Sequence, residues 1–566
     1  MKHFILSFIL ILAWNTAWSQ LTVFVSTPTD GNGVGTLRSA VNLANINAGT
    51  VIRFDSSLDN IPINITQGQI AINEGVVIIG NGVGVTILDG QGTNECFLSD
   101  GKNVEISNIT FRNFTESGPL LVGPLARGGG AIHQISGSLF LENCSFENNR
   151  SENNSGGAIF SENGFLSVKR CIFLQNYAYW AGAIGSTSEL DVSRSIFERN
   201  DSGDLLASIG SASTIISNSK ATIANSKFQG NGNYRSWSVF NFGGNQVEID
   251  NCLITGNFGG DFVIHSGTTA TITNCTIANN DKQSFSTVII GASSTYFLRN
   301  NIIAFNGSVF NMNQVVYDAI SEGGNIFDVI PVSQIPLHAT DISGTSTYPL
   351  NPQFVSAISS ALPSIGGNYK LKSCSKAVNA GLAIHHPQDV LDINNNGNII
   401  EPLPTDLGQD PRVSISSQGF YPTVIDAGAY EFQGIPAACQ SGPSGPSGLS
   451  LSSRTMITRA THDNKTSIQK IGDMYVLKKE ENVSDIFFTL YPNPNNGEFT
   501  IQLNSNDSRI ASYKIYDRMG FAIRNVKVEN ASLEMNIRTE GLERGFYTFE
   551  GVDEVGNMSK IRFSVK

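Results

Sequence analysis

Apolar residues return along this chain in a fixed pattern that occurs eight times between residues 106 and 306. In each copy one apolar residue is followed, five positions later, by a second one. The first positions are Ile106, Leu141, Val168, Val192, Ile223, Ile249, Ile272 and Leu298. The second positions are Phe111, Phe146, Phe173, Phe197, Phe228, Ile254, Ile277 and Ile303. Consecutive copies lie 23 to 35 residues apart, so the chain repeats one structural unit.

Polar residues also occupy fixed places in this pattern. Three residues before the second apolar position lies Asn or Arg: Asn108, Asn143, Arg170, Arg194, Asn225, Asn251, Asn274 and Asn300. Three residues after it lies Asn, with Phe114 as the one exception: Asn149, Asn176, Asn200, Asn231, Asn257, Asn280 and Asn306. Asn suits a tight bend because it tolerates unusual backbone angles, and its amide both donates and accepts hydrogen bonds.

The alternation of apolar and polar residues between these positions has the period of a β-strand and not of a helix. One such unit cannot bury its apolar side alone, whereas stacked units place equivalent residues in columns about 4.8 Å apart. We therefore expect an all-β protein, with a right-handed parallel β-helix over residues 56–340 and a small C-terminal β-sandwich. Phe173 is expected to point inward and to stack between Phe146 and Phe197.

Three copies open with nearly the same residues, GGAI at 129–132 and at 156–159 and AGAI at 181–184. The pairing of GGAI with a later FxxN, here Phe146–Asn149 and Phe173–Asn176, resembles the repeats of chlamydial polymorphic outer-membrane proteins. Those proteins are β-helical surface adhesins, so the resemblance implies a β-helix with a binding role at a cell surface. It covers mainly residues 106–231.

The first 19 residues are predicted to be a signal peptide. Lys2 precedes an apolar run from Phe4 to Ala13, and cleavage is expected between Ser19 and Gln20. A run of about ten apolar residues is too short to cross a bilayer, which requires about 20. We therefore expect an exported protein with no transmembrane segment in the mature chain.

Residues 20–55 are predicted to cap the first coil, because an uncapped coil would expose its core. Thr36 is the expected N-cap of a short helix in which Leu37, Ala40, Val41 and Ala44 share one apolar face. The sequence GVGTLRSAVNLAN resembles the GxGTLRxAxxxAN opening of exported bacterial β-helix proteins.

Composition and charge narrow the range of partners. The formal net charge is −12, charged residues make up only 15% of the chain, and no basic cluster is present. Such a chain lacks the positive surface that nucleic acid or an anionic membrane requires. Neither is expected as a partner.

Four of the seven cysteines lie two residues before a second apolar position: Cys144, Cys171, Cys252 and Cys275. They are predicted to point inward as small buried side chains. Disulfide bonds between neighbouring coils remain an alternative in an oxidising compartment. The odd number of cysteines leaves at least one thiol free or paired with another chain.

Beyond residue 340 the repeat ends. NYKLKSCSKAVNAG (368–381), DLGQDPR (406–412) and IDAGAYEF (425–432) together resemble the choice-of-anchor Q segment of exported bacterial proteins, to which residues 341–435 are assigned. Inside it, DINNNGN at 392–398 carries oxygen donors at alternate positions, as a calcium loop does. Leu403 stands where such a loop has its acidic ligand, so an Asn-rich turn is favoured and no metal or cofactor is predicted.

Residues 436–485 are predicted to be a flexible linker, and alternating apolar stretches predict a small β-sandwich over 486–566. There, YPNPNNGEFTI, IYDRMG, LERGFY and the terminal KIRFSVK resemble the C-terminal sorting domain of the type IX secretion system. The resemblance implies that this machinery is a partner of residues 486–566. It also implies export from a Bacteroidota-type bacterium, loss of the domain, and release or attachment at the outer surface.

The columns themselves predict no catalytic residue. β-Helical enzymes that act on polysaccharides need grouped carboxylates on one outer face, and the outward positions four before and one after each second apolar residue hold no neighbouring acids. Asp201, Asp204 and Asp261 lie in loops, and His133 and His265 have no evident partner. All five are interpreted as solvated or structural.

Aromatic residues in two loops suggest a ligand patch: Tyr179, Trp180, Tyr234 and Trp237. The loops start two coils apart, a separation of about 10 Å that suits two sugar rings. We predict that Trp180 and Trp237 are partly exposed and bind a carbohydrate or a surface protein. The alternative is that the rings fold down and cover the helix.

Two functions follow from these observations. The favoured one is a non-catalytic adhesion or binding protein at the cell surface. The alternative is a polysaccharide lyase or glycoside hydrolase with a site built from loops. Three carboxylates and a basic residue within one groove would favour the enzyme.

Overall fold

The computed structural model describes most of the chain. In the β-helix and the adjoining segment it describes residues 20–119, 128–203, 211–233, 238–244, 246–258, 260–264, 267–280, 288–290, 294–306, 319–329, 337–345, 347–358, 362–412, 425–434 and 436. In the C-terminal region it describes residues 466–471, 474–479, 488–491, 498–503, 509–516, 522–532, 534–538, 545–553 and 558–565. Within these ranges one α-helix and two short 3₁₀ helices accompany the strands.

Three long parallel sheets wind around a common core. The first sheet has twelve strands: Thr22–Val25, Thr50–Phe54, Val76–Ile79, Asn103–Ser107, Gly137–Glu142, Gly164–Lys169, Glu189–Ser193, Ala221–Ala224, Gln246–Asp250, Thr269–Thr273, Thr295–Arg299 and Ala319–Gly323. The second sheet has twelve: Pro62–Asn64, Ile87–Asp89, Thr110–Arg112, Ser145–Glu147, Ile172–Leu174, Ile196–Glu198, Lys227–Gln229, Leu253–Thr255, Thr276–Ala278, Ile302–Ala304, Ile326–Phe327 and Ile342–Ser343.

The third sheet has nine strands: Ile70–Ile72, Phe97–Ser99, Ile132–Gln134, Ile159–Ser161, Ile184–Ser186, Ala212–Ser217, Ser238–Phe242, Gly260–Ile264 and Val288–Ile290. A small fourth sheet contains Thr115–Glu116, Arg150–Ser151, Tyr177–Ala178 and Asp201–Ser202. Each strand pairs in parallel with the equivalent strand of the next coil. The predicted parallel β-helix is confirmed.

The repeat alignment is confirmed residue by residue. Phe146 pairs with Phe173, and Phe173 with Phe197, in the second sheet. The ring centroids of these pairs lie 4.9 and 4.6 Å apart, with ring planes inclined by 8° and 2°. Five residues earlier, Val168 pairs with Leu141 and with Val192 in the first sheet. Both columns are buried, so the predicted apolar positions form the core.

The Asn residues that follow the second sheet form a buried ladder. The side chain of Asn200 donates one hydrogen bond to the carbonyl of Phe173 at 2.9 Å and one to Oδ1 of Asn231 at 3.0 Å. Its own Oδ1 accepts from the backbone and side-chain amides of Asn176 at 3.1 and 2.9 Å. The same pattern continues through Asn257, Asn280 and Asn306. The buried polar groups at this bend therefore find their hydrogen-bond partners within the protein.

The bend between the first and second sheets is left-handed. All eight residues at this position have positive φ, between 47° and 61°. Asn adopts this conformation more readily than other residues with a side chain, which explains why six of the eight are Asn. Arg170 and Arg194 adopt it as well, with φ of 54° and 51°.

The first coil is closed by the predicted helix, which spans Leu37–Ala44. Thr36 caps it, because its side-chain oxygen accepts a hydrogen bond from the amide of Ser39 at 3.1 Å. Leu37, Ala40, Val41 and Ala44 are buried as expected. A 3₁₀ turn, Ser56–Leu58, follows the second strand of the first sheet.

Residues 382–406 run along the left-handed bend and hold to it. Arg194 donates to the carbonyl of Ile393 at 3.0 Å, Asn251 to that of Thr405 at 3.2 Å, and Asn300 to that of Leu382 at 3.0 Å. This segment includes the 3₁₀ turn Ala383–His385, and a hairpin of Phe354–Ser356 with Asn368–Leu371 precedes it. The residues of the left-handed bend therefore also hold the segment 382–406 against the side of the β-helix.

The C-terminal region contains two antiparallel sheets. One holds Phe488–Tyr491, Glu498–Leu503 and Glu534–Arg538, and the other holds Ile510–Tyr516, Ala522–Ser532, Gly545–Asp553 and Met558–Val565. Side chains from both sheets, among them Ile501 and Phe549, share one core, as in the predicted small β-sandwich. A separate hairpin, Thr466–Ile471 with Met474–Lys479, lies in the range predicted as linker. Regular structure thus begins before residue 486.

The cysteines of the repeat are buried thiols. Cys96, Cys144, Cys171, Cys252 and Cys275 are free, so the alternative of disulfide bonds between coils is excluded for them. Cys374, outside the repeat, is disulfide-bonded. Burial raises the pKa of the Cys171 and Cys275 thiols well above the ordinary value, and these side chains act as small core residues.

Candidate functional site

The predicted aromatic patch is only partly described. The indole of Trp180 is 7% exposed and packs against Ala181, Ala212 and Ile216, with Tyr179 at its edge. The expectation that Trp180 is exposed is therefore wrong, because the ring folds onto the third sheet. Tyr179 is half-buried, while Tyr234 and Trp237 lie outside the described residues.

A cavity of about 550 Å³ lies where two turns of the β-helix meet the loop 363–365. Its walls are formed by backbone and side chains of the following residues: Arg199, Asn200, Asp201, Gly230, Gly232, Asn233, Pro363, Ser364 and Ile365. Asp201 and Asn233 are joined by a hydrogen bond. Asp201, predicted to be solvated or structural, is thus placed at a concave surface that presents donors, acceptors and charges of both signs.

Several carboxylates lie together on the outer side of the first sheet, and sequence reasoning missed them. In Glu189–Ser193 and Gln246–Asp250 the alternate apolar residues are buried, so Glu189, Asp191, Glu248 and Asp250 face outward. We call these four residues the acidic face. Asp191 pairs with Thr222, and Thr222 with Glu248, so the two acids are two coils apart.

The signal that finds this group is the outward position six residues before each second apolar residue. That column reads Glu105, Phe140, Ser167, Asp191, Thr222, Glu248, Thr271 and Phe297. Taken alone it also holds no adjacent acids. The grouping appears only when this column is combined with Asp250, two residues further along the same strand.

Two carboxyl groups of the acidic face have raised pKa values. Burial and the Glu189 carboxylate raise the pKa of Asp191 to about 6, against the opposing effects of Lys220 and of a hydrogen bond with Thr222. Burial and the Glu248 carboxylate raise the pKa of Asp250 to about 7, against a hydrogen bond with Thr273 and the charge of Arg299. A carboxyl group with a pKa near 7, as for Asp250, keeps its proton for much of the time at neutral pH and can donate it.

Basic side chains border the acidic face. Nζ of Lys220 lies 2.8 Å from Oε1 of Glu189, and this hydrogen bond raises the pKa of Lys220. Arg299 forms an ion pair with Glu322. The acidic face therefore combines carboxyl groups of different pKa with neighbouring cations on adjacent strands.

The remaining four predicted residues separate into two cases. His133, expected to lack a partner, lies 3.1 Å from Oε1 of Glu162 through its Nε2 atom and packs edge-on against Phe160. The expectation for His133 was wrong because its partner, Glu162, is 29 residues away in the sequence and comes close only when neighbouring coils stack. The side chains of Asp204, Asp261 and His265 lie outside the described residues.

The loop 392–398 is closed by its own hydrogen bonds. Oδ1 of Asp392 accepts from the backbone amide of Asn396 at 2.9 Å, and Glu401 accepts from the side chains of Asn394 and Asn396 at 2.7 Å. Among the residues that the structure describes, no group of three or more His, Cys, Asp or Glu side chains is arranged to hold a metal ion.

The C-terminal region matches a known family. Residues 489–562 match the family described as "Secretion system C-terminal sorting domain". The chain carries a sorting domain. The resemblance to type IX sorting domains is thus confirmed for the terminal sandwich, and the chain is marked for export by that route. In the described part of the chain, no helix combines the length and the hydrophobicity needed to span a bilayer.

Two solved structures are similar to this chain. The pectate lyase Pel9A has 14% identity and a TM-score of 0.39, over 73% of this chain and 96% of that one. The alginate lyase AlyF-OU02 in complex with G6 has 12% identity and a TM-score of 0.33, over 62% of this chain and 92% of that one. No curated protein matches the chain. Likeness at this level bears on no activity of the chain.

Proposed function

We propose that this protein is an exported, non-catalytic glycan-binding protein that acts at the outer cell surface or after release. The observation that carries the proposal is the cavity between two turns and the loop 363–365. Its mixture of Arg199, Asp201 and Asn233 provides donors and acceptors for sugar hydroxyl groups, and the pyrrolidine of Pro363 provides an apolar surface. Placement on coils held by the Asn ladder keeps these groups in a fixed geometry.

A glycan array followed by titration of the best ligand tests this proposal. The full chain is compared with Arg199→Gln and with Arg53→Gln, an exposed arginine on the first sheet that serves as the control. We expect binding to the wild type and to the control, and about tenfold weaker binding to Arg199→Gln. Equal affinity of all three chains for every ligand would exclude the cavity as the binding site.

The same assay addresses the aromatic patch predicted from the sequence. Tyr234→Ala and Trp237→Ala are compared with Trp180→Ala, whose ring is buried. Weaker binding of the first two variants by a folded chain supports a patch that lacks Trp180. Wild-type affinity of both variants shows that their rings serve packing only.

A second candidate function is glycoside hydrolysis at the acidic face. The supporting observation is that Asp191, Glu248 and Asp250 lie on the outer side of the same sheet as Lys220 and that two of these carboxyl groups have raised pKa values. Asp250 would donate a proton to the leaving oxygen, and Glu248 would activate water or attack as a carboxylate. A negative face repels polyuronates, so the substrate class would be a neutral polysaccharide.

Release of reducing ends from neutral and acidic polysaccharides tests this candidate. If the acidic face is catalytic, Glu248→Gln should lower the rate by roughly 100-fold. Glu105→Gln, in the same column but exposed and several coils away, should leave the rate unchanged. If the chain releases no more reducing ends than a heat-denatured sample, the hydrolytic function is excluded and only the binding function remains.

Export and processing are tested directly on secreted material. We expect mature chains to begin at Gln20 and to lack the region from about Phe487 onward, because both ends are removable addresses. Mass spectrometry of surface and culture fractions measures both ends. Most molecules retaining Lys566 would contradict the processing step.

A further inference from the structure

The sorting domain touches the segment that precedes it through one carboxylate. Oδ1 of Asp410 lies 2.7 Å from Nζ of Lys514, in the strand Ile510–Tyr516 of the sorting domain. Oδ2 of the same Asp410 lies 2.9 Å from Nζ of Lys370, in the strand Asn368–Leu371. The Asp410 side chain is only 6% exposed. One buried anion is therefore shared by a cation from each side of the contact.

Further groups extend this contact. Glu550 pairs in register with Lys514 and accepts a hydrogen bond from the hydroxyl of Tyr516 at 2.7 Å. Burial lowers the pKa of Lys370, but Asp410, with smaller contributions from Asp406 and from Glu550 of the sorting domain, raises it above its ordinary value. Burial and the neighbouring Glu550 raise the pKa of Tyr516, and the charges of Asp410 and Tyr430 act in the same direction. Charges of opposite sign thus alternate across the contact.

Asp410 is held in place by the backbone and side chain of Asp406 in its own segment. Its backbone amide donates to Oδ1 of Asp406 at 2.8 Å, and its carbonyl accepts from the amide of Asp406 at 2.8 Å. Lys370 and Lys514 lower the pKa of Asp410 in spite of its burial, so the carboxylate stays ionised at neutral pH. A fixed, ionised and half-neutralised carboxylate is a recognition feature for one further cation.

We propose that the surface around Asp410, Lys370 and Tyr430 is the docking site for the chain's own sorting domain. The precursor then presents its export signal in one orientation. Removal of the sorting domain would leave Asp410 paired with Lys370 alone. The mature protein would therefore differ from the precursor at this carboxylate as well as in length.

The test uses the full chain with a specific protease site inserted in the Gly-, Ser- and Pro-rich stretch 441–448. After cleavage, we expect the sorting domain to elute with the β-helix at low salt and to separate as salt is raised, because screening weakens ion pairs. Lys514→Gln should weaken the association about tenfold. Lys527→Gln removes an exposed lysine from the neighbouring strand and should behave as the wild type.

A double-mutant cycle distinguishes the loss of a direct interaction from a general effect of either substitution on folding. If Lys514 and Asp410 act on each other, Asp410→Asn combined with Lys514→Gln should weaken the association less than the product of the two single effects. Hydrogen exchange in Met558–Val565 shows whether the sorting domain remains folded. Immediate separation of the wild type at low salt, or equal association of Lys514→Gln and Lys527→Gln, would overturn the proposal. Neither result depends on whether the chain binds glycans.

Discussion

The coils around residues 146–200 and the described residues of the segment 362–434 both contain fully buried side chains, yet different interactions hold them. In the coils, each core position repeats the residue above and below it, as in the Phe146, Phe173 and Phe197 stack. In the segment, the contacts are between buried ionisable side chains, and each contact occurs only once. Arg412 and Glu431 are fully buried, and Nε of Arg412 lies 3.8 Å from Oε2 of Glu431.

Because of this difference, the two regions should respond differently to side-chain truncation and to a change of pH. A repeated apolar contact has no charge to lose, so the coils depend on packing and on amide hydrogen bonds. The segment depends on the protonation of groups that are out of water. Burial raises the pKa of Glu431 to about 8 and that of Asp426 to about 6. The coils should fail when a side chain is truncated, and the segment when pH changes.

The largest effect is expected in the aromatic column. Phe173→Ala removes a buried ring between two stacked neighbours and should lower the free energy of unfolding by roughly 3 to 5 kcal/mol. Phe140→Ala, on the outer side of the first sheet, is the control. Denaturant titration and hydrogen exchange in the neighbouring coils measure the loss, which in a solenoid can appear as local opening. An unchanged profile would contradict the packing role of the column.

A smaller loss is expected in the Asn ladder. Asn200→Ala leaves the carbonyl of Phe173 and the amides of Asn176 without their partners, which should cost about 2 to 3 kcal/mol. Asn103→Ala, at an exposed strand start, controls for the loss of an amide side chain. The same exchange measurement should show faster exchange at 176, 200 and 231 only. Uniform exchange across the chain would mean that the ladder is not local.

The segment should respond to pH instead. Because the pKa of Glu431 is raised from 4.5 to about 8, the folded state favours its protonated form. Its contribution to stability is therefore complete below about pH 4.5 and is lost as pH rises toward 8. Asp406 and Asp426 act in the same direction. Exchange at 425–434 should speed up between pH 5 and pH 8, while exchange at 146–162 stays constant when corrected for intrinsic rates.

Glu431→Gln isolates the cause of this response. The neutral amide should flatten the pH dependence at 425–434, since it has no proton to lose. Asp410 acts in the opposite direction, because its lowered pKa makes its contribution disappear only in acid. A variant that keeps the full wild-type slope would assign the response to Asp406 and Asp426.

The smallest effect is expected at the surface of the coils. Lys220 and Glu189 form an exposed ion pair, and Lys220→Gln should change the free energy of unfolding by less than about 1 kcal/mol. The difference should vanish at high salt. A larger change would show that the acidic face contributes to stability and is not reserved for a ligand.

The sequence predicted the coils because repetition makes each position visible several times. The column of Phe173, the Asn200 ladder and the Thr36 cap all follow from spacing and side-chain chemistry. It did not predict the acidic face, since Asp191 and Glu248 come together only through pairing across Thr222. Nor did it predict the fate of Trp180, because a ring in a loop can either face the solvent or pack. The contacts of Arg412 and Asp410 occur once each and leave no pattern.

Because the coils stack at a constant spacing, the length of the β-helix is proportional to the number of its coils. Every coil adds one strand spacing, about 4.8 Å, whatever its loops contain. Twelve strands in the first sheet thus set a distance of roughly 50 Å between the first strand, Thr22–Val25, and the last, Ala319–Gly323. Deleting or duplicating one whole coil would shorten or lengthen this rod by one step and leave both ends chemically unchanged. Length is a property that this architecture can adjust without redesigning its surface.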